Sequence, residues 1–130
     1  MKDIDAISSA VIGEAIKIHR ELGPGLLESV YEAVLAGSLE RSGYQVSRQV
    51  PVGIVYDEMR FDVAFRVDLF VEDCLVVEIK SVERLGKVHA KQLLTYLRLM
   101  KQPVGLLLNF SGETMKEGIR RLVNDYRPEV

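Results

Sequence analysis

The sequence predicts an α/β protein, an α+β sandwich whose central mixed β-sheet is flanked by helices. Three observations carry that prediction. The chain opens with apolar residues at Ile4, Ile7, Val11, Ala15, Ile18 and Leu22, spaced three and four apart as on one helix face. Its middle alternates with a period of two through Phe61, Val63, Phe65, Val67, Leu69 and Val71, as a strand with one buried face does. Residues 104–108 then form an almost unbroken apolar run, as expected of a strand covered on both sides. At 130 residues, 48% hydrophobic and 28% charged, the chain is large enough to bury a core and too apolar to stay disordered. One domain spanning residues 1–130 is expected.

The elements follow in order. The first helix ends at Gly23-Pro24-Gly25, where proline and glycine interrupt the hydrogen-bond ladder. A second helix carries Leu27, Val30, Val34, Ser38 and Leu39 near one stripe and stops before Gly43. Residues 46–50 and 52–56 are β-rich, with Pro51 marking an edge or a bend. Strands over 60–71 and 75–80 are joined by a tight turn at Glu72-Asp73-Cys74. Residues 81–86 form a loop, 87–101 a helix and 104–109 a strand. Ile119, Leu122 and Val123 suggest a last helix over 113–125, giving the order ααβββαβα.

Composition narrows the function. No apolar run approaches the roughly 20 residues of a membrane span, and no apolar stretch follows the acidic N-terminus as in a signal peptide. The single cysteine, Cys74, excludes an internal disulfide and agrees with a reducing cytoplasm. One Cys and two His do not suit a structural zinc site. The net charge of −2 is unevenly spread: residues 1–79 carry −7 and residues 80–130 carry +5. The basic part suits phosphates and the acidic part a metal, although solvated surface charge produces the same asymmetry.

The chemistry centres on Glu78-Ile79-Lys80. Residues two apart on a strand project from the same face, so the Glu78 carboxylate and the Lys80 ammonium point together. Asp68 lies on the preceding strand among apolar neighbours, where an unpaired charge is costly. Asp68 and Glu78 supply the hard oxygen ligands that Mg²⁺ or Mn²⁺ takes, and Lys80 sits where it can orient water or stabilise phosphate charge. The turn length decides whether they meet. A two-residue turn sets Val77 across from Asp68 and sends Glu78 to the other face. A three-residue turn through Cys74, or a bulge, sets Glu78 across from Asp68. The metal reading requires the latter; a cross-strand salt bridge on a solvated face is the competing reading. On the following helix Gln92 and Tyr96 are four apart and share a face, with His89 three before Gln92.

Asp68, then Glu78-Ile79-Lys80, then Gln92-Leu93-Leu94-Thr95-Tyr96 resembles the PD-(D/E)XK nuclease superfamily. The glutamine–tyrosine element resembles that of its RecB-type exonuclease branch. Gly25-Leu26-Leu27-Glu28-Ser29-Val30-Tyr31 resembles the signature that names the GxxExxY family within that superfamily. So do His19-Arg20-Glu21-Leu22-Gly23-Pro24 and Gly105-Leu106-Leu107-Leu108-Asn109-Phe110, and the resemblance runs from about residue 8 to about residue 124. Val67 stands where the superfamily motif has its proline.

The resemblance implies a restriction-endonuclease-like core. Its catalytic residues would be Asp68, Glu78, Lys80, Gln92 and Tyr96; its metal ligands would be Asp68 and Glu78, with Glu28 as a further or water-mediated one. Tyr31 would lie one turn from Glu28 on the same face. Mg²⁺ or Mn²⁺ is the implied cofactor and nucleic acid, DNA rather than RNA, the implied partner. Lys87, Lys91, Tyr96, Arg98 and Arg120 are candidate contacts to nucleic acid, with Lys116 and Arg121 as further basic residues. A cytoplasmic nuclease acting as a homodimer is one expectation. A catalytically silent nucleic-acid-binding or accessory module with the same fold is the alternative.

Overall fold

The computed structural model describes residues 3–126, so Met1, Lys2 and residues 127–130 of the expected domain lie outside it. Helices α1 (Ile4–Leu22) and α2 (Glu28–Arg41) precede strands β1 (Val46–Tyr56), β2 (Met59–Val71) and β3 (Leu75–Lys80). Helix α3 (Lys87–Met100), strand β4 (Val104–Asn109), a 3₁₀ turn at Lys116–Gly118 and strand β5 (Ile119–Val123) complete it. The five strands form one mixed sheet in the order β1-β2-β3-β4-β5, parallel only between β3 and β4. No described helix is long and apolar enough to cross a membrane.

Each face of the sheet has its own core. Helices α1 and α2 cover one face, packing Val11, Ala15, Tyr31, Leu35 and Leu39 on Leu69, Val77, Ile79, Leu106 and Leu108. Helix α3 covers the other, with Leu93 and Leu97 on Val67, Val76 and Leu107. Because β3 and β4 are buried on both faces, they read as nearly continuous apolar runs. Gly105 lets α3 lie close: a Cβ there would meet Leu93 and Leu97 side-chain carbons at 3.1 Å. Asp3 starts α1 by accepting from the N–H groups of Asp5 and Ala6, both at 3.1 Å.

Two expectations are corrected. Residues 113–125 form no α-helix: a 3₁₀ turn leads into β5, antiparallel to β4 with Gly105 opposite Leu122 and Leu107 opposite Arg120. Ile119 and Leu122 mimic helical spacing because they pack on opposite faces of the sheet, each into a different core. The alternation of β2 is also not one buried face. Phe61 and Val63 are exposed on a ribbon formed with β1, which runs past the end of the β2–β3 pairing. Phe65 and Val67 pack with α3, whereas Leu69 and Val71 pack with α1 and α2. The strand changes phase at Asp68.

Candidate active site

Strands β2 and β3 pair at Val71–Leu75, Phe70–Val76 and Leu69–Val77, so Glu72, Asp73 and Cys74 form the three-residue turn. The next step of this register sets Asp68 across from Glu78. There the backbone ladder stops and the two carboxylates replace it. The Asp68 N–H donates to Glu78 Oε2 at 2.7 Å, and the Ile79 N–H donates to Asp68 Oδ2 at 2.7 Å. Each side chain thus satisfies a backbone donor that the parting strands would leave unpaired. The remaining Glu78 oxygen has no donor among the described residues. No buried side-chain N or O of the described residues lacks a partner, so that oxygen opens to solvent.

Burial and neighbouring negative charge raise the pKa of both acids. Glu78 is 5% exposed. Burial first, then the charge of Asp68, pushes its pKa up from 4.5 to about 8, against the opposing pull of the Asp68 N–H and Lys80. Asp68 is raised as well, chiefly by burial and against hydrogen bonds from Ile79 and Gln49. Lys80, half-buried at the end of β3, lowers both acids but forms no direct ion pair with either. The cross-strand salt bridge is therefore not what holds these residues together.

Tyr96 reaches the site from α3. Its ring stacks on Phe65 with centroids 4.0 Å apart and planes inclined by 3°. Its hydroxyl is made less acidic by burial and then by the charges of Glu78 and Asp68. Gln92, one turn earlier, is exposed. Lys87, Lys91 and Arg98 are exposed along α3, Arg98 donating to Thr95 Oγ1 at 3.3 Å. Arg120 lies on β5 rather than a helix, on the face of Leu122, and its guanidinium caps the carbonyls of Glu117 and Ile119. Arg121 points the other way and pairs with Asp5 at 2.6 Å. The two arginines share no surface.

The residues of the Gly25 to Tyr31 segment divide their work. Tyr31 is fully buried and stacks on Phe110 with centroids 4.4 Å apart. Its hydroxyl donates to the Gly23 carbonyl at 2.6 Å and accepts from the Leu26 N–H at 3.1 Å, clamping the loop between the helices. Tyr31 thus serves the core and the loop, whereas Glu28, three residues earlier on α2, is exposed. Glu28 accepts from the Ser81 N–H at 2.8 Å and, with Asp68 and Ile79, lines a cavity of about 410 Å³.

Sequence reasoning missed three residues here. Glu32, one turn beyond Glu28, is 6% exposed, lines the same cavity and raises the pKa of both Asp68 and Glu78. Its spacing of four from Glu28 was the available signal. Gln49 donates to Asp68 and to Glu32 from across β1, a contact that no local pattern announces. Asn109 fixes the loop after Lys80, its side chain accepting from the Val82 N–H at 3.0 Å and donating to the Val82 carbonyl at 2.9 Å.

A mixed-sheet α/β protein with an acidic pair and a lysine at the end of its middle strand is thereby defined. The chain belongs to the PD-(D/E)XK nuclease superfamily, whose sequence model matches residues 5–122. No curated protein and no solved structure matches it significantly. Nucleases of this superfamily generally use divalent metals and act on nucleic acid. Among the described residues, no group of three or more His, Cys, Asp or Glu is placed to hold a metal. Two carboxylates in adjacent positions nevertheless fit Mg²⁺, which takes one or two and completes its shell with water.

Proposed function

We propose that this chain is a divalent-metal-dependent nuclease of the GxxExxY type that hydrolyses phosphodiester bonds in DNA. The supporting observation is the interlocked acid pair: two carboxylates anchored on each other's strand, with a lysine beside them that forms no ion pair with a described residue. A buried acid raised to about 8, with no ion pair to a described residue, is poised to exchange its proton for a metal ion. Bound Mg²⁺ or Mn²⁺ would acidify water and polarise the scissile phosphate.

The chain's own residues supply the rest. Asp68 and Glu78 would hold the ion, and Glu28, on the wall of the cavity that Asp68 also lines, would reach it through water. Lys80 orients the attacking water and offsets the charge that grows on the phosphate. Tyr96 and Gln92 present a hydroxyl and an amide to the phosphate from α3. Lys87, Lys91, Arg98 and Arg120 hold the nucleic-acid backbone without reading its bases. A homodimer, one active site per strand, suits cleavage of a duplex. The test is digestion of end-labelled DNA and RNA with Mg²⁺, Mn²⁺ or EDTA. Metal-dependent DNA cleavage that disappears in folded Lys80→Ala and Glu78→Ala variants is the expected result. A folded protein that binds no divalent ion at millimolar concentration refutes the proposal.

A further inference from the structure

We propose that Gln49 is a positioning residue for the acid pair, fixing Asp68 for metal through a neutral amide braced by Glu32; this rests on the nuclease reading above. Gln49 lies inside β1, yet its backbone has φ +49°, in the left-handed region that a side chain other than glycine or asparagine rarely adopts. No insertion explains it. The strands keep one register on either side, Arg48 opposite Leu69 and Val50 opposite Val67, which sets Gln49 across from Asp68. The strained residue therefore stands at the point where β2 changes phase.

The side chain accounts for the strain. Gln49 Nε2 donates to Glu32 Oε1 at 2.5 Å and to Asp68 Oδ1 at 3.2 Å. Glu32 is buried and held in turn by Arg48, whose Nε and NH2 lie 3.2 and 3.0 Å from Oε2. Since Asp68 Oδ2 is already taken by the Ile79 N–H, both oxygens of Asp68 are fixed. A lysine or arginine at position 49 would neutralise the acids and compete with a cation. An amide orients them and leaves their charge available.

Gln49→Gly removes the amide and relieves the backbone. Gln49→Asn tolerates the same backbone but its shorter arm fails to span Glu32 and Asp68. Mn²⁺ affinity is measured by electron paramagnetic resonance on the full chain, with Tm and DNA cleavage read on the same samples. Both variants should bind Mn²⁺ about 10-fold more weakly. Gln49→Gly should melt at or above the wild-type Tm, and saturating Mn²⁺ should restore its cleavage. Wild-type affinity in either folded variant overturns the proposal and leaves the nuclease reading standing. So does an affinity loss that appears only together with a lowered Tm in both. A wild-type protein that binds no Mn²⁺ overturns both readings.

Discussion

Glu78→Gln should stabilise the metal-free protein at alkaline pH while abolishing its response to metal. Glu78 is protonated in the fold up to about pH 8 but ionises near 4.5 when unfolded. Between those values the folded state holds the extra proton, so the contribution of Glu78 to stability is greatest below 4.5 and falls as pH rises to about 8. The slope for one proton is about 1.4 kcal/mol per pH unit, giving a loss on the order of 5 kcal/mol across the window. Glutamine copies the neutral acid, and its carbonyl oxygen can still accept the Asp68 N–H now held at 2.7 Å. The variant should therefore lose the Glu78 part of this slope, keeping what Asp68 contributes, and exceed the wild type at pH 9 by roughly 15 °C in Tm. Thermal melts from pH 5 to 9 in EDTA check this. A divalent ion at 100 times its Kd should then raise wild-type stability by about 2.7 kcal/mol and the variant's hardly at all. A wild-type Tm that does not fall with pH, or a variant less stable than wild type at pH 9, would show that burial does not strain this carboxyl.

Other predictions test neighbouring features. Lys80→Ala should reduce DNA cleavage at least ~100-fold with little change in Tm. Its Mn²⁺ affinity should hold or rise, because a cation beside the acids is gone; calorimetric titration reads the sign. Tyr31→Phe strips a hydroxyl from the Gly23 carbonyl and the Leu26 N–H, and denaturant unfolding should show a loss of about 1–3 kcal/mol. Gly118→Ala would set a Cβ 2.0 Å from the Asn109 carbonyl oxygen, so unfolding should show a loss of about 2 kcal/mol or more. If α3 grips DNA, replacing Lys87, Lys91 or Arg98 should each lower the log–log salt slope of DNA binding by about 0.9.

Much of this molecule follows from local rules. The spacing of Ile4 to Leu22 makes a helix because only a 3.6-residue period brings those side chains onto one face, and α1 forms there. Glu78 and Lys80 share a face because a strand alternates, and a three-residue turn follows from the condition that Asp68 meet Glu78. What the sequence left open depends on contacts between distant segments. Residues 119–123 became a strand because β4 offered a free edge, and two buried faces let Ile119 and Leu122 point apart. The phase change at Asp68 and the left-handed Gln49 opposite it arise where three elements meet. Local periodicity specifies which way a side chain faces along its own element. Only the assembled sheet decides which polar groups from different elements fall within hydrogen-bonding distance, and therefore that Glu32, through Gln49, braces the acid pair.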